Sequence, residues 1–106
     1  MKKLGLYLSA LLLSFSATQV IAETVEIEIY KFTFIPQEIT INRGDNVVWI
    51  NKEKRQYHNV WFEQLGEEEP DYLFPGERYE RRFDSAGEFP YRCGPHPEMT
   101  ATITVK

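Results

Sequence analysis

The residue types that can hold a soft metal ion are few in this sequence, and most of them lie near its C-terminus. The chain contains two histidines and one cysteine, and the run Cys93-x-x-His96-x-x-Met99 places three donor types close together. The other histidine, His58, lies far upstream. Two imidazoles, one thiolate and a weak axial thioether make the trigonal site that proteins use for copper electron transfer. We therefore predict that His58, Cys93, His96 and Met99 bind one copper ion.

The chemistry of these donors suits a metal that changes charge by one electron. Thiolate binds copper strongly, and imidazole binds both Cu(I) and Cu(II), so neither oxidation state has to lose a ligand. A thioether is a poor donor to Cu(II) and tolerates Cu(I), which raises the reduction potential. Catalytic copper oxidases need further histidines for a second copper centre, and none remain here. We expect an electron carrier and not an enzyme, with copper carriage to another protein as the alternative function.

Other fates of these residues stay open at this point. A single cysteine is more often an inert buried thiol, and a single methionine is more often part of a core. With only Cys93 in the chain no internal disulfide can form, so an exported thiol is buried, paired with another chain or bound to metal. Zinc is a weaker competitor, because a thioether is a poor zinc ligand and structural zinc sites prefer more thiolates.

The N-terminus has the order of a secretory signal. Lys2 and Lys3 precede an apolar run over 4–17, and Val20-Ile21-Ala22 offers small or branched residues where a signal peptidase reads the chain. The run is shorter than the roughly 20 residues needed to cross a bilayer. We predict a signal peptide at 1–22, one domain at 23–106, a periplasmic location and no membrane anchor after cleavage.

Charge restricts the partners of the exported domain. The whole chain has a formal net charge of −4, and losing the two lysines of the leader makes the remainder more acidic. An acidic domain repels nucleic acid and attracts cationic partners. Glu67, Glu68, Glu69 and Asp71 lie in one loop and could dock a cationic partner, although a solvated loop is the simpler interpretation.

The rest of the domain has the pattern of short strands and turns. Apolar and polar residues alternate with period two in several segments, and Pro and Gly lie between them. Strands are predicted at 24–30, 38–41, 46–51, 58–63, 79–83, 88–93 and 99–105. About seven strands in one small domain, with no convincing helix, predict an all-β sandwich.

The segment from Gly87 to Met99 resembles the type 1 copper signature of the plastocyanin and azurin family. The two-residue gaps on each side of His96 are similar to the short ligand loop of the amicyanin type. His58-Asn59-Val60 likewise resembles the segment of the first ligand. The resemblance implies a cupredoxin-like Greek-key sandwich with the edge of His96 exposed as the electron port. It also implies a monomer whose redox partners are of the cytochrome, copper-enzyme or quinone-enzyme kind.

Two positions around the ligands extend this prediction. The backbone N–H of Asn59 is expected to donate to the sulfur of Cys93 and to tune the reduction potential. Relatives often carry at position 94 a hydroxyl residue that bonds the Asn after the first His. Because this chain has Gly94 there, we expect a weaker tie through Asn59.

Two prolines bracket the second imidazole. Pro95 and Pro97 flank His96 and have no backbone N–H to donate. We expect Pro95 to stiffen the loop and to contribute to an apolar collar around the exposed edge of His96. An ordinary turn would contain the same residues.

Overall fold

The computed structural model describes residues 21–106, so nearly all of the predicted signal peptide lies outside the described residues. The described part contains seven strands and one short 3₁₀ helix. The strands are β1 Thr24–Tyr30, β2 Thr33–Ile35, β3 Glu38–Ile41, β4 Asn46–Asn51, β5 Arg78–Arg82, β6 Gly87–Arg92 and β7 Thr100–Val105. The 3₁₀ helix is Glu63–Leu65. Between residues 21 and 106, no helix has the length and apolar character needed to span a membrane.

The strands form two sheets, with orders β2-β1-β4-β5 and β3-β7-β6. β1 pairs with β4 and β3 pairs with β7 in parallel, whereas the remaining pairs are antiparallel. Parallel pairs need crossovers, so the chain passes repeatedly from one sheet to the other. The predicted all-β sandwich is confirmed.

The core lies between the sheets and is organised around Trp49. Alternation along β1 buries Ile27 and Ile29, while Glu28 is exposed. Trp49 is fully buried on β4, and its indole N–H donates to the hydroxyl of Tyr91 on the opposite sheet at 3.1 Å. A buried indole usually finds such a partner. Burial raises the pKa of Tyr91 well above its usual value, so this hydroxyl stays neutral.

The prediction of a strand at 58–63 was wrong. This segment makes only two isolated bridges, His58 with Leu73 and Trp61 with Arg92, and then turns into the 3₁₀ helix. Val60, Trp61 and Phe62 are residue types typical of a strand, but the two bridges connect the segment to different neighbours. The seventh strand is instead β2, which was not predicted because Pro36 follows it directly.

A buried carboxylate fixes the turn before β4. Asp45 accepts hydrogen bonds from the backbone N–H groups of Glu23 and Asn42, each at 2.9 Å. These two bonds hold the pKa of Asp45 below its usual value, with the Glu23 bond contributing most. The ionised form is therefore favoured in the folded protein.

This carboxylate predicts a pH-dependent difference between the wild type and Asp45→Asn. A folded pKa below the unfolded value of about 3.9 adds stability that is fully present above that value and disappears as pH falls through the folded pKa. We expect the difference in unfolding free energy to be constant from about pH 5 to 7 and to shrink below about pH 4. Urea unfolding across this range measures it. Asp84→Asn, which alters an exposed pair with Arg82, is the control. A difference in unfolding free energy between the wild type and Asp45→Asn that does not change with pH would contradict the prediction.

Candidate metal centre

Two separate segments bring the predicted ligands to the same end of the sandwich. Cys93, His96 and Met99 lie in the connection between β6 and β7, whereas His58 lies in the irregular segment after β4. The connection is closed by two backbone bonds, from the N–H of Cys93 to the carbonyl of Met99 at 3.0 Å and from the N–H of Met99 to the carbonyl of His96 at 2.9 Å. Since β6 and β7 are paired up to Arg92 and Thr100, the sheet fixes both ends of this loop.

Three donor atoms converge at this end. The Nδ1 atoms of His58 and His96 are 3.1 Å apart, and the Sγ of Cys93 lies 3.6 Å from the first and 3.4 Å from the second. An ion at the centre of such a triangle would be about 2 Å from each donor, which is the length of metal–imidazole bonds. His58 and Cys93 are buried and His96 is half-buried. These three residues fit a metal ion.

Glu53 fixes the orientation of His58. Its Oε2 lies 2.9 Å from the Nε2 of His58 and also accepts the backbone N–H of Phe32 at 2.9 Å. A carboxylate at Nε2 keeps the proton there, which leaves the Nδ1 lone pair facing the other donors. Burial lowers the pKa of His58, and the neighbouring His96 lowers it further, although Glu53 opposes both. His58 is therefore neutral and able to bind metal at neutral pH.

The carboxylate of Glu53 is ionised in this position. Burial acts to raise its pKa, but the hydrogen bonds from the Phe32 N–H and from His58 outweigh burial and lower it. A carboxylate that holds the distal nitrogen of a ligand histidine is a common arrangement in metal sites. Glu53 was not predicted from the sequence.

Cys93 is fully buried and its sulfur accepts a backbone hydrogen bond. The N–H of Asn59 donates to the Sγ at 3.4 Å. Burial raises the pKa of the Cys93 thiol, while that N–H and the one from His96 act in the opposite direction. Because metals bind the thiolate, metal binding releases this proton.

Met99 lies in the buried core at the end of the ligand loop, with 5% of its surface exposed. Backbone hydrogen bonds connect Met99 to His96 and Cys93, two of the three residues whose donor atoms converge. Its role as the fourth ligand stays a prediction.

The tie between the two ligand segments runs through the side chain of Asn59. Its Oδ1 accepts the backbone N–H of Gly94 at 2.6 Å. The side chain is fully buried, so this bond is shielded from water. The hydrogen bond to Asn59 that a side chain at position 94 would make is thus made by the backbone N–H of Gly94.

A group of exposed aromatic side chains lies next to His96. We call Phe32, Tyr57, Tyr72 and Phe74 the aromatic rim; each is between 39% and 52% exposed. The ring of Phe32 meets His96 edge-on at 4.9 Å and His58 at 5.4 Å. Tyr57 stacks on Tyr72 at 4.5 Å, contacts Phe74 at 5.9 Å and lies 6.4 Å from His96. An apolar surface therefore borders the one half-buried imidazole.

A strained turn positions Phe32 in this rim. Lys31 and Phe32 join β1 to β2 with φ angles of 52° and 56°, the left-handed values of a type I′ hairpin turn, which usually contains Asn-Gly. Left-handed backbone costs non-glycine residues roughly 1–2 kcal/mol each. The turn directs the Phe32 ring onto both histidines, and the backbone N–H of Phe32 donates to Glu53.

Pro95 is half-buried in the ligand loop next to His96.

Part of the acidic loop is used inside the protein. Glu67 makes a two-point ion pair with Arg81, at 3.0 and 2.5 Å, which lowers the pKa of Glu67. The indole N–H of Trp61 donates to the carbonyl of Glu67 at 2.9 Å. Because the carboxylate of Glu67 is already paired, the acidic cluster is less available to a cationic partner than the sequence suggested.

Three residues that contribute to this site were not predicted from the sequence: Glu53, Asn51 and Phe32. Asn51 is buried at the end of β4; its amide donates to the carbonyls of Gln56 and Leu73, and its Oδ1 accepts the N–H of Glu53. No spacing rule identifies these residues, since each acts through a loop conformation. The proximity of Glu53 and Asn51 to His58 in the sequence was the only available signal.

Comparisons with known proteins agree with this geometry. The family model described as copper binding proteins of the plastocyanin/azurin family matches residues 21–106. The amicyanin of Paracoccus versutus is 33% identical over 95 residues, which cover 86% of this chain and 71% of the relative. The plastocyanin of Scenedesmus fuscus is 38% identical over 87 residues, covering 69% of this chain and 86% of that protein. The crystal structure of amicyanin from Paracoccus versutus superposes with a TM-score of 0.72 at 32% identity, over 82% of this chain and 85% of that one.

Proposed function

Because this chain belongs to the plastocyanin/azurin family of copper-binding proteins, we propose that it transfers single electrons between redox partners in the periplasm. It is a cupredoxin close to amicyanin, it binds one copper ion, and it is not an enzyme. The observation that carries the proposal is the convergence of two imidazole nitrogens and one thiol sulfur within 3.6 Å of one another.

We assign His58, Cys93 and His96 as the residues that would hold the copper ion, with Met99 as a fourth and weaker donor. The bound copper supplies a one-electron Cu(I)/Cu(II) couple. The donor set supports copper over zinc, because it contains a single thiolate and offers a thioether as the fourth donor.

The scaffold around these residues supports electron transfer because it leaves the donors little freedom to move. Glu53 holds the ring of His58, Asn59 bonds the Cys93 sulfur, and two backbone bonds close the loop that carries His96. Donors that stay in place when the charge of the ion changes keep the reorganisation energy small. Preorganisation of this kind is supplied by hydrogen bonds outside the ligand set.

The half-buried His96 is the proposed route for electrons. It is the only one of the three converging side chains that is not buried, and Phe32 and Tyr57 of the aromatic rim lie beside it. A redox partner would dock by apolar contact with Phe32 and the Tyr57–Tyr72 stack, which brings its own centre close to the imidazole edge. Aromatic residues are enriched in such contact surfaces.

Copper carriage is the alternative function, and repeated redox cycling separates the two. An electron carrier retains one equivalent of copper through many cycles of reduction and oxidation, even with a Cu(I) chelator present. The burial of His58 and Cys93 supports retention, since a competing protein cannot reach them directly. Copper content measured after each cycle is the readout, and loss of Cu(I) to the chelator within the first cycles would favour carriage.

The axial assignment predicts the effect of Met99→Gln on the reduction potential. An amide oxygen is a better donor to Cu(II) than a thioether, so copper stays bound and the potential falls. At about 59 mV for each tenfold change in relative affinity, we expect a fall of at least that size in a spectroelectrochemical titration. Met99→Leu conserves the volume and removes the donor, so its potential should not fall. An unchanged potential in Met99→Gln would mean that Met99 is not axial.

Export by a signal peptide at 1–22 is part of this proposal. Cleavage before Glu23 would turn its backbone nitrogen, 2.9 Å from the Asp45 carboxylate, into an ammonium group. A charged hydrogen bond is stronger than the neutral one, which supports cleavage at this point. The mass of the protein recovered from the periplasm tests the site, and an N-terminus other than Glu23 would exclude it.

A further inference from the structure

The carboxylate of Glu69 reaches from the acidic loop to the ligand loop. Its Oε2 accepts a hydrogen bond from the side-chain amide of Asn59 at 3.0 Å, and the same amide lies 3.2 Å from the carbonyl of Pro70. Together with the bond from the Gly94 N–H to the Asn59 Oδ1, these contacts use both the acceptor and the donors of a fully buried side chain. Asn59 is therefore held from two sides.

Gly94 provides the space in which this carboxylate lies. A Cβ atom at position 94 would overlap the Oε2 of Glu69, and it would lie 2.6 Å from the Cδ of Glu69 and 3.0 Å from the Nδ2 of Asn59. Gly94 is not among the glycines with a left-handed φ. The glycine is thus needed for space and not for its backbone conformation.

We infer that Glu69 is a positioning residue of the copper centre: its carboxylate lies where a side chain at position 94 would otherwise be, and it holds Asn59 by a hydrogen bond. Asn59 in turn places its backbone N–H on the sulfur of Cys93, 3.4 Å away. This inference rests on the proposed function only where it concerns copper, because the packing of Glu69 against Gly94 exists without metal.

The alternative is an exposed glutamate whose contact is incidental. The side chain of Glu69 is exposed, and surface hydrogen bonds contribute little. The partner of this one is different, because Asn59 is fully buried and leaving one N–H of a buried amide without its acceptor is costly. The close fit of the carboxylate over Gly94 is a second observation that an incidental contact does not explain.

The negative charge of Glu69 has its own consequence at the site. A carboxylate near the sulfur favours the more positive Cu(II) state over Cu(I), so it lowers the reduction potential. The residue thus acts both by geometry and by charge.

The geometric part is tested in the copper-free protein with Glu69→Ala, Gly94→Ser and the double variant. Each single change should lower the unfolding midpoint: the first leaves one N–H of the Asn59 amide without its acceptor, while the other keeps the carbonyl of Pro70, and the second forces the carboxylate out. In the double variant the Ser side chain fills the vacated space and its hydroxyl can pair with Asn59. The two changes should therefore be non-additive, with the double variant more stable than the sum of the single effects predicts. Additive losses would overturn the inference.

Hydrogen exchange at one amide tests the link to the metal centre. Glu69→Ala should speed exchange of the Asn59 backbone N–H in the copper-free protein, because the side chain of Asn59 loses one of its three hydrogen bonds. Glu69→Gln keeps an acceptor and should change this rate much less. Equal acceleration in both variants, or none in Glu69→Ala, would overturn the positioning role.

The charge part is tested in the copper-loaded protein by the reduction potential. Glu69→Gln should raise the potential clearly more than Glu68→Gln, which removes the same charge from the adjacent exposed residue. Equal shifts would overturn this part. A wild type that binds no redox-active copper would instead refute the proposed function, and the stability and exchange experiments would still decide whether Glu69 holds Asn59.

Discussion

Cys93→Ser is expected to abolish the intense visible absorption of the Cu(II) protein. The absorption arises from charge transfer between the Cys93 sulfur and copper, and serine offers no thiolate, which is the form of cysteine that binds metals. The sulfur lies 3.6 and 3.4 Å from the two imidazole nitrogens, so its removal leaves the trigonal set one donor short. Titration of the purified apoprotein with Cu(II), followed by optical spectroscopy, measures the loss.

The copper-free form of this variant serves as the control. Serine is close to cysteine in size, and its oxygen can accept the Asn59 N–H that the sulfur accepts in the wild type. We expect Cys93→Ser to fold without metal and to gain much less stability from added copper than the wild type, since ligand binding to the native state raises stability by mass action. A Cys93→Ser protein that still develops the strong visible band, or a wild type that stays colourless with Cu(II), would refute the assignment of Cys93.

Asn51→Ala is expected to cause the largest loss of stability among the substitutions around the site. The buried amide serves three backbone groups at once, the carbonyls of Gln56 and Leu73 and the N–H of Glu53, at 2.8 to 2.9 Å. A buried polar group left without a partner costs roughly 1–3 kcal/mol. We expect a loss of about 3 kcal/mol, a large share of the roughly 5–15 kcal/mol that stabilises a typical domain.

The loss should also reach the metal centre. Leu73 exchanges both backbone hydrogen bonds with His58, at 3.1 and 2.6 Å, and Glu53 holds the ring of that histidine. Asn51→Ala therefore loosens both supports of His58, and its copper should dissociate faster than that of the wild type. Urea unfolding of the copper-free protein and stopped-flow transfer of copper to a chelator measure the two effects.

Two matched variants separate this role of Asn51 from a general effect of substitution. Asn51→Asp keeps the shape but directs a carboxylate oxygen at two carbonyl oxygens, so at neutral pH it should be at least as destabilising as alanine. Asn46→Ala, at the other end of β4, removes a half-buried side chain that makes no hydrogen bond within residues 21–106. It should reduce the unfolding free energy much less. Similar losses for Asn46→Ala and Asn51→Ala would contradict the proposed network.

Much of the fold followed from local patterns. Period-two alternation predicted β1, β3 and β7 to within a residue, because one face of each strand is more deeply buried than the other. Branched and aromatic residues predicted β4, which is buried on both faces. The prediction from residue types failed at 58–63, where the segment bridges Leu73 near one end and Arg92 near the other. Branched and aromatic residues are typical of a buried segment, and this one is buried without pairing continuously to a single strand.

Residue types and local spacing were enough to establish the chemistry of this protein. Its donors are two histidines, one cysteine and one methionine, and three of these four lie at fixed spacing in one loop. This set restricts the metal and its oxidation states without reference to the path of the chain. Donor identity is a property of residue type, and the spacing within the loop is local, so both can be predicted from the amino-acid sequence.

How the donors are held depends instead on contacts between distant segments. The carboxylate on His58 comes from Glu53, the amide that organises its segment comes from Asn51, and the space over Gly94 is filled by Glu69 from another loop. These contacts join residues whose separations follow no period, and each depends on the path of a loop through space. Since the conformation of a loop is set by the sum of many tertiary contacts, no short stretch of sequence contains the information that fixes it.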